Sequence, residues 1–207
     1  MGGNGRFMSA GWRYILPVWG VTLFVLIFSD AVFINLLLIT VSFLVAYLFY
    51  VPERNSNEIS KSAVLSPVDG TVLSIKEGEE SLYIKISKSI FDGSSAVYPP
   101  VNGDLVEKRR IRGLFVGKEK KLAERLNEHV AMRWKIGEDE AVMKLFCGFY
   151  SMGVLVFDSK KEGCDARVIA HLSDGIAELV LPKSVEVEVS VGDRVLGGYS
   201  LLGYGRE

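Results

Sequence analysis

Between Tyr14 and Tyr50 the sequence contains no lysine, arginine or histidine, and only one acid, Asp30. Cysteine is almost as scarce. The chain has 2 cysteines, Cys147 and Cys164, too few and too far apart for a metal-ligand spacing. Their number leaves a disulfide open, but two reduced thiols in a cytosolic domain are the expectation. No repeat and no low-complexity tract is present, which excludes solenoid and linker-rich classes. Since the first quarter carries almost no charge, the net charge of −1 over 207 residues hides a mosaic in which the charged residues follow Val51.

Where charge is missing, apolar residues run on. Tyr14 to Phe28 forms one run, Ser29-Asp30 breaks it, and Ala31 to Tyr50 forms a second. A helix crossing the hydrocarbon core needs about 20 residues, so this pattern predicts a transmembrane helical hairpin over residues 1–50, with helices at about 14–28 and 32–50. Pro17 suits the first turn of a helix. The stretch is too long for a signal peptide and lacks a small-residue cleavage site. A shallow re-entrant hairpin and a buried core hairpin are the alternatives. Arg6 and Arg13 precede the pair and Arg54 and Lys61 follow it, so both ends are expected on the cytoplasmic side of the cell (inner) membrane. Trp12, Tyr14, Trp19, Tyr47 and Tyr50 suit interfacial belts.

Residues 51–61 read as a polar linker and 62–207 as a soluble domain. Alternation and turn signals predict strands at Gly70–Ile75, Leu82–Ile86, Ala141–Phe149, Gly153–Phe157, Ile176–Leu181 and Val185–Val191. Leu122, Leu126 and Val130, four apart, predict one helix over Lys118–Trp134. The fold class is therefore α+β, mainly β. Ser66-Pro-Val-Asp-Gly-Thr-Val72 and the unit from Val189 to Gly203 resemble the two halves of a barrel-sandwich hybrid, the fold of biotinyl and lipoyl carriers. The lysine tripeptide of a carrier is absent.

An apolar hairpin, then Phe49-Tyr-Val-Pro-Glu-Arg54, Ser66-Pro-Val-Asp-Gly70, Pro100-Val-Asn-Gly103, Asn127-Glu128 and a terminal Gly-Asp…Leu-Gly-Tyr segment follow one another in order. This succession resembles the phosphatidylserine decarboxylases, closest to the short form that includes the archaetidylserine decarboxylases. The resemblance implies self-cleavage at a Gly-Ser bond, leaving a pyruvoyl group that forms a Schiff base with the amine of phosphatidylserine and accepts electrons as CO₂ leaves. It also implies an Asp-His-Ser relay for that cleavage, and a homodimer.

Matched residue by residue, Asp69 falls on the family aspartate. Ser95 falls where the histidine belongs, with Val97 and Tyr98 at the following asparagine and arginine. Serine is no base near neutral pH. The Gly-Ser pair is expected to fall just beyond Glu207, and the one Gly-Ser in the chain is Gly93-Ser94. The paired arginines of the family correspond to Met152-Gly153. As written, then, the chain is expected to use no cofactor, to lack self-processing and decarboxylase activity, and to keep Asp69 as a vestige or a turn former. His129 and His171 are read as an ordinary helix histidine and a strand-edge histidine.

The basic run Lys108, Arg109, Arg110, Arg112, Lys120 and Lys121 is the candidate for contact with phospholipid headgroups, each base near an anionic leaflet contributing about 1 kcal/mol. No stacking aromatics accompany it, so nucleic acid is not an expected partner. The expected function is a phosphatidylserine decarboxylase-related, membrane-anchored, catalytically silent protein of phospholipid metabolism. The alternatives are an active enzyme completed by a tail from elsewhere, and a barrel-sandwich adaptor of an envelope assembly.

Overall fold

A computed structural model describes residues 6–8, 11–54, 62–117, 122–136, 139–157 and 168–205. In chain order the elements are β1 (Arg6–Phe7), α1 (Trp12–Phe28), α2 (Val32–Leu48), β2 (Tyr50–Val51), β3 (Ala63–Leu65), β4 (Gly70–Glu77), β5 (Ser81–Lys88), β6 (Ala96–Val97) and β7 (Asp104–Ile111). After these come α3 (Ala123–Leu126), β8 (His129–Ile136), β9 (Asp139–Cys147), β10 (Leu155–Val156), β11 (Ala170–His171), β12 (Gly175–Pro182), β13 (Val185–Val187), β14 (Arg194–Val195) and β15 (Leu201–Gly205). Most of the expected linker, residues 55–61, lies outside the described residues, as do Cys164, Lys120 and Lys121.

The domain is mainly β. One antiparallel sheet of seven strands runs in the order β14-β4-β5-β12-β9-β8-β7, accompanied by the three-stranded sheets β10-β11-β6 and β13-β15-β3. The large sheet follows from alternation. On β5, Leu82, Ile84, Ile86 and Lys88 are buried while the residues between them are partly exposed, so one face joins the core. On the other face, Glu178 of β12 sits between Lys85 of β5 at 3.4 Å and Lys144 of β9 at 3.5 Å, and Arg133 of β8 bridges Glu107 at 3.2 Å and Glu140 at 3.3 Å. Opposite charges facing each other across strands fix the register on the solvent side, as the apolar residues do inside.

The two units that resembled halves of a barrel-sandwich hybrid meet in the large sheet, and the second also enters a small one. β14 pairs with β4 at the edge of the large sheet, and β15 lies between β13 and β3 in a small one.

Two expectations are corrected. The transmembrane hairpin is not supported: α1 and α2 have 17 residues each, and no helix among the described residues is long and apolar enough to cross a membrane. At 1.5 Å per residue, a helix of 17 residues reaches about 25 Å, short of a hydrocarbon core of roughly 30 Å. The fold is mainly β sheet with a short helical hairpin. Of the helix expected over Lys118–Trp134, residues 118–121 lie outside the described residues, the described part is helical only over the four residues of α3, and His129–Ile136 is strand β8. There Val130, Met132 and Trp134 are buried while Arg133 and Lys135 are exposed, a period of two that the four-residue spacing of the leucines concealed.

The hairpin is fastened at its base. Met8, Ile15, Phe49, Val51, Ala96, Tyr98, Phe157 and Val168 form a second apolar cluster between it and the sheets. Phe49, fully buried, stacks on Tyr14 with ring centroids 5.4 Å apart and on His171 at 4.8 Å. Gly11 allows this approach, since a Cβ there would lie 2.6 Å from Phe49. Beyond the base, most side chains of both helices are exposed and apolar, Phe28, Val32 and Phe33 among them.

Candidate functional site

Ser66-Pro-Val-Asp-Gly70 is the loop between β3 and β4, and it turns Asp69 inward, where 1% of its surface remains exposed. Arg54 grips the carboxylate with two parallel bonds, Nη1 to Oδ1 and Nη2 to Oδ2, both 2.6 Å. The Ser94 amide donates to Oδ2 at 2.8 Å and the Gly197 amide to Oδ1 at 2.7 Å. A carboxylate has roughly four lone-pair sites, so these four donors saturate it. Arg54 also donates to the Gly197 carbonyl and lies over the Tyr98 ring, 5.8 Å from its centroid. One buried ion pair thus ties the end of the Pro-Glu-Arg segment to the β3–β4 loop, the β5–β6 loop and the glycine corner after β14. Gly93 is required here: its φ is 100°, in the left-handed region, and a Cβ would lie 2.6 Å from the Asp69 carboxylate.

The one Gly-Ser peptide, Gly93-Ser94, therefore sits against Asp69. Its serine is held in place, with Oγ donating to the Tyr50 carbonyl at 3.1 Å and accepting from the Ala96 amide at 3.2 Å. Ser95, at the expected histidine position, is buried with no hydrogen-bond partner for its hydroxyl among the described residues.

His171 is not an edge residue. It lies in β11, the central strand of its sheet, fully buried and paired with Ala96 of β6. Its Nε2–H donates to the Leu48 carbonyl at 3.1 Å, and Nδ1 has no partner among the described residues. Burial pushes its pKa down to about 4, so the ring is neutral near pH 7. The Leu172 amide donates to the Ser95 carbonyl, so Ser95 is level with Leu172, one residue out of step with His171. Neighbouring strand residues point to opposite faces, so the two side chains do not face each other. Asp69, Ser95 and His171 are close along the fold but make no relay: no hydrogen bond joins any two of their side chains.

A third cluster surrounds Asn127-Glu128. Asn127 Nδ2 donates to the Val116 and Cys147 carbonyls, both at 2.6 Å, and Oδ1 accepts from the Val116 amide at 2.8 Å. Glu128 meets Arg110 at 2.6 Å. Cys147 is a free, buried thiol whose pKa burial raises to about 11. His129, expected on a helix, opens β8, with Nδ1 3.1 Å from the Asn127 carbonyl. No group of three or more His, Cys, Asp or Glu side chains that could hold a metal occurs among the described residues.

Of the headgroup candidates, Lys108, Arg109 and Arg110 lie on β7, the exposed edge strand, and Arg112 directly follows it. Alternation puts Lys108 and Arg110 on one face and Arg109 on the other, and Arg110 is engaged by Glu128. These three bases therefore do not form a single patch. Sequence reasoning missed Arg54 as the partner of Asp69 and His171 as the link to the hairpin. Arg54 was visible as the last residue of a quoted motif, but its partner lies 15 residues away across a loop.

The comparisons with known proteins bear on this architecture. The chain is 30% identical over 182 residues to a phosphatidylserine decarboxylase proenzyme of Carboxydothermus hydrogenoformans, covering 82% of this chain and 84% of that protein. It belongs to the phosphatidylserine decarboxylase family. A phosphatidylserine decarboxylase proenzyme of Syntrophus aciditrophicus is 27% identical over 204 residues, covering 93% of this chain and 94% of its own. No family model matches the chain, and no solved structure matches it. In this chain the residues brought together around Asp69 belong to the quoted motifs themselves. Phe49–Arg54, Ser66–Gly70 and the segment after β14 converge on one carboxylate.

Proposed function

We propose that this member of the phosphatidylserine decarboxylase family works at a phospholipid surface without processing itself and without decarboxylating its lipid. The observation that carries this reading is the saturated carboxylate of Asp69. All its acceptor sites are taken by Arg54, Ser94 and Gly197, leaving none to orient an imidazole. His171 spends its N–H on the Leu48 carbonyl, and Ser95 stands where the resemblance calls for the base. The chemistry of the family needs a self-generated pyruvoyl group. Gly93-Ser94, the one Gly-Ser available, has its hydroxyl donated to Tyr50 rather than aimed by a base at the Gly93 carbonyl. The residues present thus suit a scaffold and do not suit formation of that group.

The lipid surface follows from the hairpin. Contiguous exposed apolar area beyond a few hundred Å² marks an interaction site. Here the Asn35 amide donates to the Ser29 carbonyl at 2.9 Å while its Oδ1 has no partner among the described residues, and the hydroxyls of α1 and α2 bond within the hairpin, with Thr22 Oγ1 and Ser42 Oγ 2.7 Å apart and Thr40 donating to the Leu36 carbonyl at 2.9 Å. Such internal satisfaction suits hydrocarbon surroundings entered to less than their full depth. Lys108 on β7 and Arg112 just after it, both exposed, are the cations offered to the headgroup layer.

The test is intact mass of the purified full chain, followed by incubation with phosphatidylserine vesicles. The expected result is one species of 22.9 kDa and no ethanolamine lipid. Two shorter chains, one blocked by a pyruvoyl group, would overturn the reading.

A further inference from the structure

The hairpin contains a groove that its own packing leaves unfilled. Between α1 and α2 lies a cavity of about 480 Å³, lined by Leu16, Trp19, Gly20, Leu23, Ile39 and Phe43 among others. That volume is within the roughly 300–1,000 Å³ of pockets for small molecules. The two hydroxyls that reach it are already satisfied. Thr22 Oγ1 and Ser42 Oγ lie 2.7 Å apart, Thr22 Oγ1 is 2.9 Å from the Val18 carbonyl and Ser42 Oγ 2.8 Å from the Leu38 carbonyl, so one hydroxyl donates to the other, which donates to its own carbonyl. The lining therefore asks nothing polar of an occupant.

Gly20 helps to make the groove. A glycine inside a helix costs about 1 kcal/mol relative to alanine, so helix stability does not explain it. Nor does close packing: a Cβ at Gly20 would meet no atom within 4 Å. Its missing side chain is open space in the lining.

A charge stands at one end. Arg13, Leu16, Gly20 and Leu23 are spaced three or four apart and share one stripe of α1. Arg13 is exposed, at the base of that stripe, and forms no ion pair with a described residue. An uncharged trough ending in a cation is complementary to a molecule with one long hydrocarbon chain and an anionic head.

We infer that the groove between α1 and α2 holds one acyl chain of an anionic amphiphile, its head on Arg13. The inference rests on the phospholipid-surface reading only for the source of the amphiphile. A free fatty acid and an anionic phospholipid share the chemistry.

The experiment uses the full chain in a mild non-ionic detergent and native mass spectrometry, with oleate, an anionic phosphatidylglycerol and neutral oleyl alcohol as probes. A one-to-one adduct is expected with the anionic probes, and their relative affinities separate the two sources. Gly20→Phe, which fills the open space, is expected to weaken the adduct about tenfold or more. Arg13→Gln is expected to weaken oleate about fivefold and to leave oleyl alcohol unchanged. Gly20→Leu is a second filler, with helix content checked by circular dichroism. Quenching of Trp19 by bromostearate, referenced to Trp19→Phe, reads occupancy in the unfilled protein. Adducts that survive both fillers, an absence of quenching, or a second copy of the chain in place of lipid would overturn the assignment. Flotation with anionic vesicles tests the surface reading separately: Gly20→Phe that still floats but loses the adduct condemns neither claim, whereas wild type that forms the adduct but does not float condemns the surface reading alone.

Discussion

Removing Arg54 is the sharpest perturbation of the centre around Asp69. In Arg54→Ala, the carboxylate keeps the amides of Ser94 and Gly197 but loses two charge-assisted bonds of 2.6 Å and its only cation among the described residues. With the Asp69 side chain 1% exposed and that of Arg54 13% exposed, solvent screens the pair little. Breaking one partner of a buried ion pair costs about 3–5 kcal/mol, since the remaining charge stays buried without compensation. For a chain of this size, 1 kcal/mol is worth about 2–4 °C, so Tm should fall by roughly 6–20 °C. Arg54→Lys keeps the charge but not the fork, and should fall between wild type and Arg54→Ala. Asp69→Asn should also destabilise, because its amide nitrogen must face a donor. Urea unfolding monitored by near-UV circular dichroism gives the free energies. If Arg54→Ala stays within about 1 kcal/mol of wild type, the ion pair is not the fastening described here.

Four further outcomes follow from other contacts. The folded His171 titrates at about 4 against 6.5 unfolded, so the unfolded chain binds more protons between those values and stability rises with pH across them. About 3 kcal/mol, fully present above pH 6.5, should fade as pH falls toward 4, and His171→Gln should flatten that slope in denaturant titrations. Phe49→Ala should cost about 3–5 kcal/mol and expose the base of the hairpin to protease, read as faster cleavage around residue 50. Asn127→Ala removes three bonds that fasten residue 116 and the end of β9, and hydrogen exchange should accelerate at Val116 while the centre of the large sheet stays protected. In a Cys164→Ser background, Cys147 should react with iodoacetamide far more slowly at pH 8 than a free thiol, because burial holds its pKa near 11; unfolding in urea should restore the ordinary rate.

The strands that were legible carry local information. Leu82, Ile84 and Ile86 alternate with polar neighbours, and Ile176–Leu181 is a short apolar run bounded by Gly175 and Pro182; β5 and β12 lie over those residues with modest extensions. The helix over Lys118–Trp134 misled because Leu122, Leu126 and Val130 fit a four-residue spacing, while Val130, Met132 and Trp134 equally fit a spacing of two. The pairing partners of β8 settle that choice, with His129–Ile136 laid antiparallel against both β7 and β9. The hairpin was visible as two apolar runs. Its reach was not: α1 ends at Phe28, where its apolar run ends, and α2 stops at Leu48 before its run does, which leaves 17 residues in each helix.

The sequence by itself determined the family, through motifs in a fixed order, and the mainly β character of the domain, through alternation. Both are properties of residue type and spacing along the chain. Only the tertiary structure decided what the motifs do. Arg54, Asp69, Ser94 and Gly197 are far apart in sequence and meet because a buried carboxylate must find donors that no neighbouring residue supplies. His171, on the central strand of its sheet, owes its lowered pKa to burial by Phe49 and the hairpin base, a contact that spans 123 residues of chain and that local spacing cannot encode.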